Sequence, residues 1–160
     1  MLDGPTVVRA IEAAGFTHVV WVPDSHLGTW EDALVASRVQ LIRPTREGEA
    51  VGVAAGLMLG GARPLVAVQC TGFFEAGDAV RNTVHDLHLP LKLVVGVRGW
   101  RAHKVGKTAD NCPRFAEPLV RAWGLPATWF DPFAANPTGC ELALRDLAAS
   151  DRAMALLWGE

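Results

Sequence analysis

Apolar runs alternate with helical segments from one end of this chain to the other, and that alternation limits the possible folds more than any other feature. Residues 18–22, 40–43, 64–69, 91–97, 127–130 and 153–158 read as strands, most of them apolar throughout. Between them, helical spacing predicts helices over 6–14, 31–37, 50–59, 75–87, 114–123 and 139–149. Asp3 is a candidate cap for the first helix, with Pro5 in its first turn and Gly15 closing it. Strands that are apolar on both sides belong in a parallel sheet covered on both faces. The pattern therefore predicts an α/β fold: a single doubly wound domain with a mainly parallel sheet of about six strands and helices on both faces. No repeat, linker or low-complexity stretch divides residues 1–160. In such a sheet the chemistry is expected in the loops that leave the carboxyl ends of the strands.

Half of the 160 residues are hydrophobic, and the mean hydropathy is +0.19. That fits elements buried on both faces, a large subunit interface, or both. A net charge of −2 and a pI near 6.2 argue against a general nucleic-acid binder, which usually presents a basic face. Met1-Leu2-Asp3-Gly4-Pro5 has no basic region followed by an apolar core, so a cytoplasmic location is expected. The small, apolar run 50–61 is too short and too rich in glycine to cross a bilayer, which needs about 20 apolar residues. Cys70, Cys112 and Cys140 match no metal-ligand spacing, so reduced thiols and no metal held by this chain are expected.

The stretch Arg46-Glu47-Gly48-Glu49-Ala50-Val51-Gly52-Val53-Ala54-Ala55-Gly56-Leu57 puts an acid where a strand meets a helix of small residues. It resembles the pyrimidine-binding motif of thiamine diphosphate enzymes, in which a glutamate nine residues before a helix glycine contacts the cofactor's aminopyrimidine. Glu47 and Gly56 have that separation. The family's second motif, a Gly-Asp-Gly followed downstream by Asn that holds the magnesium diphosphate, has no counterpart here, which implies half an active site. The combination Val22-Pro23-Asp24-Ser25-His26-Leu27, Glu47-Gly48-Glu49-Ala50-Val51 and Gln69 with Thr71-Gly72 looks like the α subunits of sulfopyruvate decarboxylase and the matching half of phosphonopyruvate decarboxylase. The resemblance covers residues 14 to about 101. It implies a pyrimidine-binding (PYR-type) domain of a carbon–carbon lyase acting on a small anionic 2-oxo acid. It further implies thiamine diphosphate bound between this domain and a diphosphate-binding β subunit that holds Mg2+, self-association through this domain, and an α2β2 heterotetramer.

The same resemblance assigns cofactor contacts to Pro23, Glu47, Thr71 and Gly72, with Glu47 bonding ring nitrogen N1′. A carboxyl there makes chemical sense, because a proton on N1′ acidifies the 4′-amino group, which then deprotonates thiazolium C2. Burial between subunits would favour a proton shared between Glu47 and the ring. A bland reading exists, since acids in the first turn of a helix commonly complement its dipole. The spacing, the preceding strand and the small-residue helix together favour the cofactor role. Glu49, two residues on, faces away and is assigned a solvated or interface role.

His26 is a second catalytic candidate, as imidazole moves protons near neutrality. Asp24, Ser25, Gln69, Phe73, Arg98 and Arg101 are the substrate-contact candidates. The segment Gln69-Cys70-Thr71-Gly72-Phe73-Phe74-Glu75-Ala76-Gly77-Asp78 is bulkier than in those relatives and carries two acids, which implies a different pocket. Phe73 and Phe74 either cover an apolar part of the substrate or anchor a helix to the core. The basic run 98–107 is either an anion clamp, with arginine forks suited to oxyanions, or a solvated loop. Cys70 either lines the site or is a packed thiol, and His85 and His88 read as surface residues for want of a third metal ligand. Two other functions stay open: a carboligase of the acetolactate synthase type, and a non-catalytic regulatory or scaffold subunit of the same fold. A flavodoxin-like nucleotide binder is disfavoured, since no Gly-x-Gly-x-x-Gly follows the first strand.

Overall fold

The computed structural model describes residues 1–160. Six strands, β1 (His18–Trp21), β2 (Gln40–Ile42), β3 (Pro64–Gln69), β4 (Lys92–Val97), β5 (Ala127–Phe130) and β6 (Met154–Gly159), form one sheet in the order β2-β1-β3-β4-β6-β5. Every pairing is parallel. The expected α/β architecture is the observed one, and the sheet is wholly rather than mainly parallel.

Alternate side chains of each strand point to opposite faces. Val19, Trp21, Leu65, Ala67, Val94, Leu156 and Trp158 pack beneath α1 (Gly4–Ala13), α2 (Glu31–Val35) and α8 (Pro137–Ala149). Val20, Val66, Val68, Leu93, Val95, Val97 and Leu157 face α3 (Glu47–Leu59), α4 (Cys70–Glu75), α5 (Gly77–Arg81) and α7 (Cys112–Ala122). Neither face is left to solvent, which is why the strand sequences are apolar without a break. Asp3 caps α1 as expected, its Oδ1 accepting from Thr6 N–H at 2.8 Å. No helix is long and apolar enough to cross a membrane.

Three sequence expectations are corrected. The helix expected over 75–87 begins at Cys70, directly after β3, and is broken into α4, α5 and a wide turn over Asn82–Asp86. At the break the ring of Trp123 packs against Gly77 so closely that a Cβ there would lie 2.8 Å from it. The run 98–107 is not a plain loop, since Gly99, at φ 74°, turns the chain into the short helix α6 (Trp100–Lys104). α3 starts at Glu47, three residues earlier than its small-residue pattern shows.

The strand order reverses between β1 and β3, and at such a switch point the loops leaving the strand ends part and open a crevice. The segments after β1, β2 and β3 meet at this edge.

Candidate active site

Three acids surround the start of α3, and two of them are committed to holding it. A helix leaves its first N–H groups without partners, and nearby acids satisfy them. Glu49 accepts from the Thr45 N–H at 2.8 Å and from the Thr45 hydroxyl at 3.0 Å, a bond pattern close to a capping box. Those bonds hold its carboxyl below the usual carboxylate range, the Thr45 N–H contributing most. Glu75, on α4, accepts from the Gly48 N–H at 3.2 Å and pairs with the Arg46 guanidinium. The Arg46 bond is the main cause of its lowered pKa.

Glu47 makes no such bond. It is half-buried at the first position of α3, and its side chain lies flat on the backbone of Gly72 in α4. A Cβ at Gly72 would fall far inside 3.0 Å of Cγ, Cδ and Oε1 of Glu47, so the glycine supplies the room this carboxyl occupies. Glu47 and Gly72 are thus neighbours, although 25 residues separate them.

The loop after β1 is built on Asp24. Its Oδ1 accepts from the N–H groups of His26 (2.8 Å) and Leu27 (2.7 Å), which starts a 3-10 turn over Leu27–Trp30. Pro23 and Ser25 are exposed and His26 is half-buried. Oδ2 of Asp24 is buried without a partner. After β3, the Thr71 hydroxyl donates to Gln69 Oε1, and Thr71 is exposed in the first turn of α4.

Phe73 lies elsewhere. It is fully buried, packed in the core with Val51, Val66 and Val68, so of its two readings the helix anchor is the one its position supports. Cys70 is also fully buried, and burial pushes its thiol up to about 12. The basic residues are largely engaged. Arg98 Nε pairs with Asp110 at 2.9 Å, Arg101 lies over the Phe133 ring at 4.3 Å, and Lys104 sits over the Trp100 ring and 3.6 Å from Asp131. A ligand anion would have to compete with these partners. His85 Nε2 is 2.8 Å from the Trp123 carbonyl, and His88 is exposed.

One residue at this edge was not singled out from the sequence. Glu160 follows β6 and is 6% exposed, and neither of its carboxyl oxygens has a partner. Burial, then the negative charge of Asp24, raise its pKa to about 8, against a weaker opposing pull from Arg98. The signal was present in Trp158-Gly159-Glu160: an acid directly after an apolar strand, the same pattern that drew attention to Arg98.

No family model matches the chain. The structure superposes with a TM-score of 0.67, at 18% identity, on the thiamine diphosphate-dependent 4-hydroxybenzoylformate decarboxylase of Rhodococcus jostii RHA1, covering 99% of this chain. The fold is one found in a thiamine diphosphate-dependent decarboxylase. In sequence the chain is 30% identical over 100 residues to the sulfopyruvate decarboxylase subunit alpha of Methanococcus maripaludis, a match over 62% of this chain. The sequence likeness agrees with the resemblance to sulfopyruvate decarboxylase α subunits, and the structural likeness agrees with the fold that resemblance implies. The matched region spans 60% of the length of that curated relative, and the superposed fold accounts for 30% of the solved chain.

Proposed function

We propose that this chain is the pyrimidine-binding half of a two-chain, thiamine diphosphate-dependent 2-oxo acid decarboxylase, with Glu47 as the group that holds the activating proton. The observation that carries this reading is the division of labour around α3. Glu49 and Glu75 are bound to N–H groups, whereas Glu47 is half-buried, unpartnered and seated on a glycine. A carboxyl bonded at the helix end, as its two neighbours are, would be less free to share a proton with a ligand.

These residues fit a pyrimidine ring. Thiamine diphosphate, when bound, supplies the electron sink that decarboxylation of a 2-oxo acid requires. The chain's part is to place Glu47 at N1′, with its carboxyl oxygens free to share a proton, while Pro23, Thr71 and Gly72 border the same crevice. Ser25 and His26 stand on the Asp24-braced turn, where a substrate carboxylate and a transferred proton can be met. The same resemblance assigns Mg2+ and the diphosphate to the partner β subunit. The exposed glycines Gly52 and Gly56 have nothing of this chain within 4 Å of where a Cβ would stand, which suits close approach of a second subunit in an α2β2 assembly.

Calorimetry tests the split site: thiamine diphosphate with Mg2+ should bind to the mixture of this chain and a diphosphate-domain subunit, and not to this chain alone. In the mixture, Glu47→Gln should leave assembly intact and abolish turnover. Normal turnover by that variant would end the assignment.

A further inference from the structure

Where β1, β4 and β6 end, three observations coincide. Glu160 is 94% removed from solvent with both carboxyl oxygens unpartnered, and Asp24 Oδ2 is likewise buried and unpartnered. Both groups fill the space left by the missing side chain of Gly96. A Cβ at Gly96 would lie 2.7 Å from Glu160 Oε1 and 3.3 Å from Asp24 Oδ2. The two oxygens are therefore within about 6 Å of one another, the range over which one carboxylate resists ionisation of the next.

No cation pairs with either carboxyl. Arg98, the nearest, is bound to Asp110 at 2.9 Å, and the Arg101 guanidinium lies over Phe133, while its backbone N–H donates to the main-chain oxygen of Glu160 at 3.1 Å. From β6 itself, Gly159 brings no charge, and the Trp100 ring closes over it. Glu160 has no donor, and Asp24 has donors on Oδ1 alone, so the two facing carboxyls repel one another when both are ionised, and a single proton held between them relieves that repulsion.

We propose that Glu160 and Asp24 share one proton above Gly96, and that Glu160 thereby acts as a positioning residue for the β1 loop carrying Ser25 and His26. The coupling runs through Asp24. Its Oδ2 faces Glu160, while its Oδ1 holds the N–H groups of His26 and Leu27. When the shared proton leaves, two negative charges face each other across Gly96, and the Asp24 side chain can escape only by giving up those loop bonds. The raised pKa of Glu160, with Asp24 among its causes, agrees with this arrangement. The inference goes beyond the cofactor reading and does not depend on it.

The test is a pH titration of the full chain, free of cofactor, by NMR. Labelled glutamate reports the Glu160 carboxyl, and the backbone amides of His26 and Leu27 report the loop. A His26→Gln background removes the imidazole's own titration from the second signal. The expected result is a Glu160 midpoint above pH 7, shared by both amides. Asp24→Asn keeps an acceptor for the loop bonds and should lower the Glu160 midpoint by a pH unit or more, and Glu160→Gln should abolish the amide transition. A Glu160 midpoint in the ordinary carboxylate range, amides that do not follow it, or a midpoint unmoved by Asp24→Asn would each overturn the proposal. None of these signals reads thiamine diphosphate binding, so failure of the acid pair and failure of the cofactor assignment are separately visible.

Discussion

Replacing Gly72 by Ala separates the placement of Glu47 from the stability of the fold. The added methyl would land far inside 3.0 Å of Cγ, Cδ and Oε1 of Glu47, whereas ordinary contact begins at 3.4 Å. Because the overlap starts at Cγ, rotating the carboxyl alone does not clear it, and the whole side chain must retreat by roughly 1 Å or change its first torsion. Alanine in place of glycine favours α4 by about 1 kcal/mol, and the displaced rotamer costs about 0.5–1.5 kcal/mol, so the two nearly cancel. Misplacing a catalytic group by about 1 Å lowers the rate about 100-fold, which corresponds to ~2.7 kcal/mol of lost transition-state stabilisation. The assay is kcat/KM in the reconstituted two-chain complex, run beside thermal unfolding of this chain. A control is Gly77→Ala, whose methyl would strike the Trp123 ring and should lower stability without touching Glu47. Undiminished turnover by Gly72→Ala with unchanged stability would refute the claim that Glu47 must rest on this glycine.

The remaining predictions concern charge and surface. The folded-state pKa of Glu160, about 8, lies above the ordinary glutamate value of 4.5, so the folded chain keeps a proton that the unfolded chain releases. Its contribution to stability is present in full below about pH 4.5 and is lost as pH rises through 8, at a cost of about 2–4 kcal/mol; urea titrations across that window should show a slope that Glu160→Gln removes. Lys92 is 7% exposed and donates through Nζ to the carbonyls of Ser150, at 2.7 Å, and Arg152, beyond the end of α8. Lys92→Met strands those carbonyls and should destabilise by about 2–4 kcal/mol in the same titrations, while a loss under 0.5 kcal/mol would show the bonds to be dispensable. Gly56→Ala meets nothing in this chain and should stabilise it alone by about 0.5–1 kcal/mol. If a second subunit packs on α3, the same substitution weakens assembly by ultracentrifugation, and unchanged assembly would count against that interface.

Much of the fold could be read from local pattern because a buried parallel sheet writes itself into every strand. Each predicted strand matches an observed one to within one or two residues, and Asp3, Pro5 and Gly15 mark α1 by chemistry that acts over a few residues. The misreadings all involve distant partners. The helix break lies beside Gly77, where Trp123, 46 residues on in the sequence, packs against the backbone. α6 forms in the basic run where Trp100 stacks on Trp129 at 4.9 Å and Arg101 N–H reaches the Glu160 carbonyl. Glu47 was legible through its spacing to Gly56, but its seat on Gly72 was not, because that contact exists only once β3 lies beside β1. Arg98 looked like a free cation for the same reason: nothing in the local sequence shows that Asp110 will fold back onto it.

The acids at this edge gain different characters from their surroundings alone. Glu49 and Glu75 stay exposed, take hydrogen bonds and are held ionised. Glu160 is buried without a donor or a free cation and is pushed toward its protonated form. Glu47 differs from both in being half-buried and without a hydrogen bond, seated on Gly72. A group that must exchange a proton with a ligand has to avoid both fates, since a carboxyl fixed by N–H donors gives up basicity and one sealed in the core gives up access. The bond from Arg46 to Glu75 fastens α4 to the start of α3 and leaves Glu47 without a hydrogen-bond partner.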